Sequence, residues 1–203
     1  MLHILYKLKT LGFTPYNILD IGAHKGTWTL DAMKIFNESN YVLIDGIKYD
    51  EIDNLLKHKN IIYYNEILAD TEEEVIWYEK QNSGDSLYKE RTKIFSECNE
   101  IKRHTKLLDN VVDLNKYDLV KLDVQGSEIP ILKGGIKTIE NTSFIILELP
   151  FMGKYNENVP NFIEHIEYMD SIGYILYDII EIHKIENIII QLDIIFIKKK
   201  YYS

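Results

Sequence analysis

An apolar run that ends in an acid and a glycine, followed at once by residues in helical period, constrains this chain more than any other feature. Asn17-Ile18-Leu19-Asp20-Ile21-Gly22 reads as a strand, and Thr27 to Phe36 reads as a helix. The unit recurs: Tyr41 to Asp45 reads as a strand, Asp50 to His58 as a helix with Ile52, Leu55 and Leu56 inward, and Ile61 to Leu68 as a third strand. It returns as a strand over Asp118 to Val124, a helix opened by Ser127 and Glu128 and stopped at Gly134-Gly135, a strand over Phe144 to Leu149 and a helix over Pro160 to Ile172. Strands that alternate with helices require right-handed crossovers, so an α/β fold on a largely parallel sheet is expected. Tyr174 to Ile179 and Ile188 to Ile197 have no helix between them, which predicts an antiparallel pair at the sheet edge.

Two further segments complete the organisation. Leu2, Leu5, Leu8 and Leu11 predict a lead-in helix within residues 1–14, ended by Gly12. Residues 71–115 are less regular, with an edge strand over Val75 to Tyr78 and a turn over Asn82 to Asp85. A chain of 203 residues is long enough to bury one sizeable core, so a single domain over 1–203 is expected. With 32 Asp+Glu against 23 Lys+Arg, the net charge of -9 has the wrong sign for a nucleic-acid partner. Cys98, the one cysteine, has no disulfide mate and suits a reducing, cytoplasmic setting. Met1 to Phe13 has no continuous apolar stretch of the signal-peptide kind, and no apolar run approaches the roughly 18 residues that span a bilayer, so no membrane partner is expected.

The chemistry is expected where strands end, because ligands of open α/β sheets bind there. Gly22 and Gly26 permit a tight turn, yet His24 and Thr27 occupy two glycine positions of the dinucleotide fingerprint, and Asp20 is a poor neighbour for phosphate. A cationic ligand is the better electrostatic match. Asp45 closes the second strand where an acid accepts ribose hydroxyls, and Asp70 follows the third strand where it would accept from an adenine amine. Three acids at neighbouring strand ends describe a pocket for a positively charged nucleoside, with S-adenosyl-L-methionine as the candidate cofactor.

Four stretches, taken in order, resemble the FkbM family of S-adenosylmethionine-dependent methyltransferases. They are Ile18-Leu19-Asp20-Ile21-Gly22-Ala23-His24-Lys25-Gly26, then Leu119-Val120-Lys121-Leu122-Asp123-Val124-Gln125-Gly126-Ser127-Glu128, then Ile131-Leu132-Lys133-Gly134-Gly135, and finally Ile145-Ile146-Leu147-Glu148-Leu149. The resemblance covers about Leu11 to Ile197 and implies a Rossmann-like class I methyltransferase fold: a mostly parallel seven-stranded sheet, one antiparallel strand near the C-terminus and helices on both faces. It implies methyl transfer to a hydroxyl of a sugar or polyketide-like acceptor. The chain departs from the family pattern at Gln125, where an acid is common, and at Gly46, where proline usually follows the acid.

The expected cofactor-binding residues are Asp20, Gly22, Ala23, His24, Gly26, Thr27, Asp45, Gly46, Asp70 and Asp123. Lys121, Asp123 and Gln125 alternate along one strand end and share a face, with Glu148 entering the same cleft if its strand is the neighbour. Asp123 is the first choice for the base, then Glu148, then His24, with Lys121 tuning a carboxylate or holding the acceptor oxygen. Plainer readings stand beside these: a ligand-free turn for the glycines, a structural ion-pair network for Lys121, Asp123 and Glu128, and loop packing for His24. Tyr155 is a candidate for the acceptor pocket. His3, His58, His104, His165 and His183 show no ligand-like spacing, so no metal is expected. The function expected is O-methylation of a carbohydrate or related small-molecule hydroxyl. The alternatives are a catalytically inactive binding module on the same fold and a dinucleotide-dependent oxidoreductase.

Overall fold

The structure, a computed structural model, describes residues 1–80, 84–90, 97–113, 116–152 and 156–202. The first half runs α1 (Leu2–Thr10), β1 (Asn17–Ile21), α2 (Thr27–Met33), β2 (Asn40–Asp45), α3 (Glu51–Leu55), β3 (Ile61–Asn65), β4 (Ile67–Leu68), β5 (Glu74–Glu79), β6 (Asn99–Lys106) and α4 (Leu108–Val111). The second half runs β7 (Leu119–Leu122), α5 (Glu128–Gly134), α6 (Ile136–Ile139), β8 (Phe144–Pro150), α7 (Phe162–Ser171), β9 (Tyr174–Ile185) and β10 (Ile188–Lys198). Seven strands form one sheet in the order β3-β2-β1-β7-β8-β10-β9. Its neighbours pair in parallel except β10, which runs antiparallel to both β8 and β9.

The central strands are buried on both faces, which is why they read as continuous apolar runs. One face packs Leu19, Val42, Val120 and Leu147 against Ile131 and Leu132 of α5 and Met169 of α7. The other packs Ile18, Leu43, Leu119 and Ile146 against Ile4, Leu5 and Leu8 of α1 and Ile52 and Leu55 of α3. Each fully buried Leu or Ile contributes roughly 1.5–3 kcal/mol as an upper figure, so α1 is held by its buried stripe. Leu11, the last leucine of that series, is 68% exposed, because the helix has ended and Gly12 turns the chain at φ +91.

Several boundaries differ from expectation for identifiable reasons. α2 and α3 are shorter than their apolar periods, since Phe36 and His58 belong to closing turns rather than to helix. The expected strand over Ile61 to Leu68 divides at Glu66: β3 stays in the large sheet, while β4 joins a second, three-stranded sheet in the order β4-β6-β5. Among the described residues of 71–115, β5 covers the expected edge strand and pairs antiparallel with β6. The turn expected at Asn82 to Asp85 lies partly outside the described residues. β9 continues to Ile185, and the hairpin turns on Glu186 and Asn187, both at positive φ as in a type I′ turn. The antiparallel pair is at the edge as expected, with β10 on the inside and β9 outermost.

Candidate active site

β1 and β7 are the adjacent strands from which the sheet order runs outward in opposite directions, so a crevice opens above their carboxyl ends. A cavity of about 270 Å³ lies there, running from Asp45 and Gly46 past Gly22 and His24 to Asp123 and Glu148. Glu66, Ile67 and Leu68 and the Trp77 ring close it on the side of the small sheet.

Gly22 makes this geometry possible. Its φ is +76, and a Cβ there would stand 1.9 Å from the Asp123 carbonyl oxygen. The loop after β1 is thereby laid directly on the end of β7. His24 follows at φ 48 and donates its backbone N–H to Asp45 Oδ2 at 2.7 Å, while Ile47 N–H reaches Asp45 Oδ1 at 2.9 Å. Asp45 thus ties two strand-end loops together, and each oxygen keeps a lone pair for a ligand. Burial pushes its carboxyl above the usual range, partly offset by those two backbone donors. The His24 ring packs edge-on against Tyr49 at 4.4 Å.

At the other end, β7 stops at Leu122, so Asp123 stands just past the strand with its side chain in the crevice. Lys121 is buried behind it, 3.1 Å from Asp123 Oδ2 and 3.9 Å from Asp20 Oδ1. Burial alone would lower the Lys121 ammonium, but Asp123 and Asp20 outweigh it and hold the pKa above its ordinary value. Burial likewise works against ionised Asp123, yet the charge of Lys121 and hydrogen bonds from Glu148, Lys121 and Gln125 bring its pKa below the ordinary one. Glu148 behaves oppositely: burial, then the charge and hydrogen bond of Asp123, push it up to about 9. The pair thus favours an ionised Asp123 beside a protonated Glu148. The Gln125 amide donates to Glu148 Oε2 at 3.1 Å and lies 3.4 Å from Asp123 Oδ1. A third acid at that position would add charge to a crowded pair, whereas the amide donates to both members.

The structure brings Gly22, His24, Asp45, Gly46, Asp123 and Glu148 to one cavity. Ala23, Gly26, Thr27, Asp20 and Lys121 do not line it. Gly26, at φ +74, packs where a Cβ would meet Leu55, and Thr27 is exposed. Asp20 is buried beneath the cavity, accepting from Thr29 Oγ1 at 2.6 Å. Asp70 is exposed and outside it, contrary to the expectation that Asp20, Asp45 and Asp70 share one hollow. The reason is the break at Glu66, which sends β4 and the following residues over α5, where the Ala69 carbonyl lies against Gly134. Glu66 and Asp85 line the cavity instead. Tyr155 lies outside the described residues.

Other groups escaped the sequence reading because strand pairing alone assembles them. Gln191 Nε2 donates to Glu148 Oε2 at 3.1 Å, and His183 Nε2 lies 3.0 Å from Asp193 Oδ2 and 4.0 Å from Glu148 Oε1. The expectation that His183 lacks ligand-like company therefore fails: its partners are on β8 and β10. Glu128 accepts from the Val124 and Gly126 N–H groups, which supports its structural reading.

A seven-stranded sheet of this order with its crevice at the reversal defines the class I methyltransferase architecture. The chain belongs to the Methyltransferase FkbM domain family, whose match covers residues 20–176. Among solved structures it is similar to the FkbM methyltransferase of Methylobacillus flagellatus KT, with TM-score 0.59 and 13% identity over 88% of this chain and 43% of that one. The chain thus spans less than half of that protein. It is also similar to the Burkholderia thailandensis 1,6-didemethyltoxoflavin-N1-methyltransferase, solved with 1,6-didemethyltoxoflavin and S-adenosylhomocysteine, with TM-score 0.56 and 10% identity over 97% of this chain and 76% of that one. A third is the Methanococcus jannaschii fibrillarin pre-rRNA processing protein, with TM-score 0.52 and 16% identity over 91% and 66%. No curated protein matches the sequence. Among the described residues, no helix is long and apolar enough to cross a membrane.

Proposed function

We propose that the chain is an S-adenosylmethionine-dependent O-methyltransferase acting on a hydroxyl of a carbohydrate or related small molecule. The observation that carries the reading is the charge of the lining: Asp45, Glu66, Asp85 and Asp123 face the cavity beside the protonated Glu148, and among the described residues no lysine or arginine does. Such a wall favours a cation and disfavours a pyrophosphate. That chemistry fits a sulfonium cofactor, which when bound supplies an electrophilic methyl group.

The protein's own groups then divide the work. Asp45 accepts ribose hydroxyls with the lone pairs its backbone donors leave. Asp123, kept ionised by Lys121, accepts the hydrogen bond of the acceptor hydroxyl at a carboxylate oxygen and takes its proton. Glu148 keeps its own proton at neutral pH and orients Asp123. A positioned base is worth typically ~10²–10⁴-fold, and alignment of the reactants contributes up to ~7–11 kcal/mol.

Calorimetric titration with S-adenosylmethionine and S-adenosylhomocysteine tests the cofactor. One site is expected, weakened about tenfold or more by Asp45→Ala, a loss of ~1.4 kcal/mol. Failure of the wild type to bind, or equal binding by the variant, overturns the reading. Asp123→Asn is expected to weaken the cofactor less than Asp45→Ala does, while turnover falls ~10²–10⁴-fold. Gln125 favours a second reading, a non-catalytic binding module, because its amide occupies lone pairs of both carboxylates. Cofactor binding without methyl transfer across a panel of glycans and small alcohols would select it.

A further inference from the structure

Outside the machinery just described, a buried acid on β10 is left without a task. Asp193 is 3% exposed between Leu192 and Ile194, on a strand flanked by β8 and β9. It stands opposite Glu148 in the register with β8. The register with β9 slips between Ile189 and Gln191 and again between Asp193 and Ile194. Such irregularities re-aim side chains and gather beside functional sites. Here they accompany the approach of His183, on the edge strand, to both acids.

Single donor atoms of Glu148, His183 and Asp193 lie within 4.8 Å of one another. A cation bound at roughly 2.0–2.2 Å holds its ligands about 3.0–3.5 Å apart. The separation of His183 Nε2 from Asp193 Oδ2, 3.0 Å, already meets that spacing, and its 4.0 Å from Glu148 Oε1 needs only a small contraction. Glu148 is also oriented as outer-shell partners orient a metal ligand: the Gln125 and Gln191 amides both hold its Oε2, and Oε1 faces His183. His183 is about one-third exposed, which leaves an entry path.

From this geometry we propose that Glu148, His183 and Asp193 form a binding site for a divalent first-row transition cation. One imidazole and two carboxylates, Glu148 releasing its proton as the cation binds, suit Mn²⁺ or Zn²⁺ better than softer ions. Three protein ligands leave coordination positions open, as in sites where a metal meets a substrate oxygen, and Glu148 lines the strand-end cavity beside Asp123. An effect of the metal on methyl transfer would rest on the proposed function; the binding itself does not.

The test is titration of chelator-stripped protein with Mn²⁺, free ion being read by electron paramagnetic resonance, and with Zn²⁺ by calorimetry, both without cofactor. One saturable site per chain is expected, weakened about tenfold or more by His183→Gln and by Asp193→Asn. Absence of saturable binding below millimolar metal, or binding that persists unchanged in His183→Gln, overturns the proposal and leaves a hydrogen-bonded histidine. Should Asp193→Asn fail to fold, His183→Gln on the solvent-facing edge decides alone. Cofactor titration of the same stripped protein separates this outcome from failure of the methyltransferase reading.

Discussion

Gly22 shows what a single absent methyl group carries. Expected among the cofactor-binding residues, it lines the cavity, and it also lies against the Asp123 backbone, which a Cβ would meet at 1.9 Å. Gly22→Ala therefore combines a backbone clash with a side chain at positive φ. It is expected to cost about 2–4 kcal/mol, read as a lower urea midpoint with an unchanged m-value. The acids divide by the same logic of position. Asp45 and Asp123 reach the cavity because each sits at or just beyond the last residue of its strand. Asp20 is one residue short of the end of β1 and points into the sheet's covering layer, where Lys121 and Thr29 are its company. The carboxylates were legible as strand-end acids; which of them faces a ligand depended on a single residue of strand length.

Among the described helices, α7 is the one that carries a capping box. Asn161 accepts from Glu164 N–H, and Glu164 Oε2 accepts from Asn161 N–H, a reciprocal capping box whose cap residue directly follows Pro160. Asn161→Ala is expected to destabilise the protein by about 1 kcal/mol, seen as a lower thermal midpoint with unchanged cofactor affinity. Ser127 occupies the corresponding position of α5 without a side-chain cap, and Glu128 satisfies the Val124 and Gly126 N–H groups there. The small sheet was the least legible element. β6 is rich in charged residues and mostly faces solvent, so no apolar alternation marks it. Its pairing with β5 and β4 is long-range, and it is this pairing that sets Trp77 against Gly46 at the cavity wall.

For the whole molecule, the consequence of gathering acids under one roof is a pH-dependent stability. Glu148, with an ordinary value of 4.5, is raised to about 9 by burial first and by Asp123 second. The folded state then holds a proton that the unfolded chain releases, so its contribution is fully present below pH 4.5 and is lost as pH rises through about 9. In chelator-containing buffers, the wild-type denaturant midpoint is expected to fall from pH 5 to pH 9 more steeply than that of Glu148→Gln. Parallel slopes would show that Glu148 is ionised throughout. The order of strands and helices, the turn glycines and the apolar faces were determined by the sequence itself, because they depend on period and on local backbone chemistry. The tertiary structure alone decided that Asp70 leaves the site, that Glu66 and Trp77 enter it, and that His183 and Asp193 meet Glu148. Those placements follow from where β3 breaks and how β10 inserts between β8 and β9, and pairing between distant segments leaves no local trace in the chain.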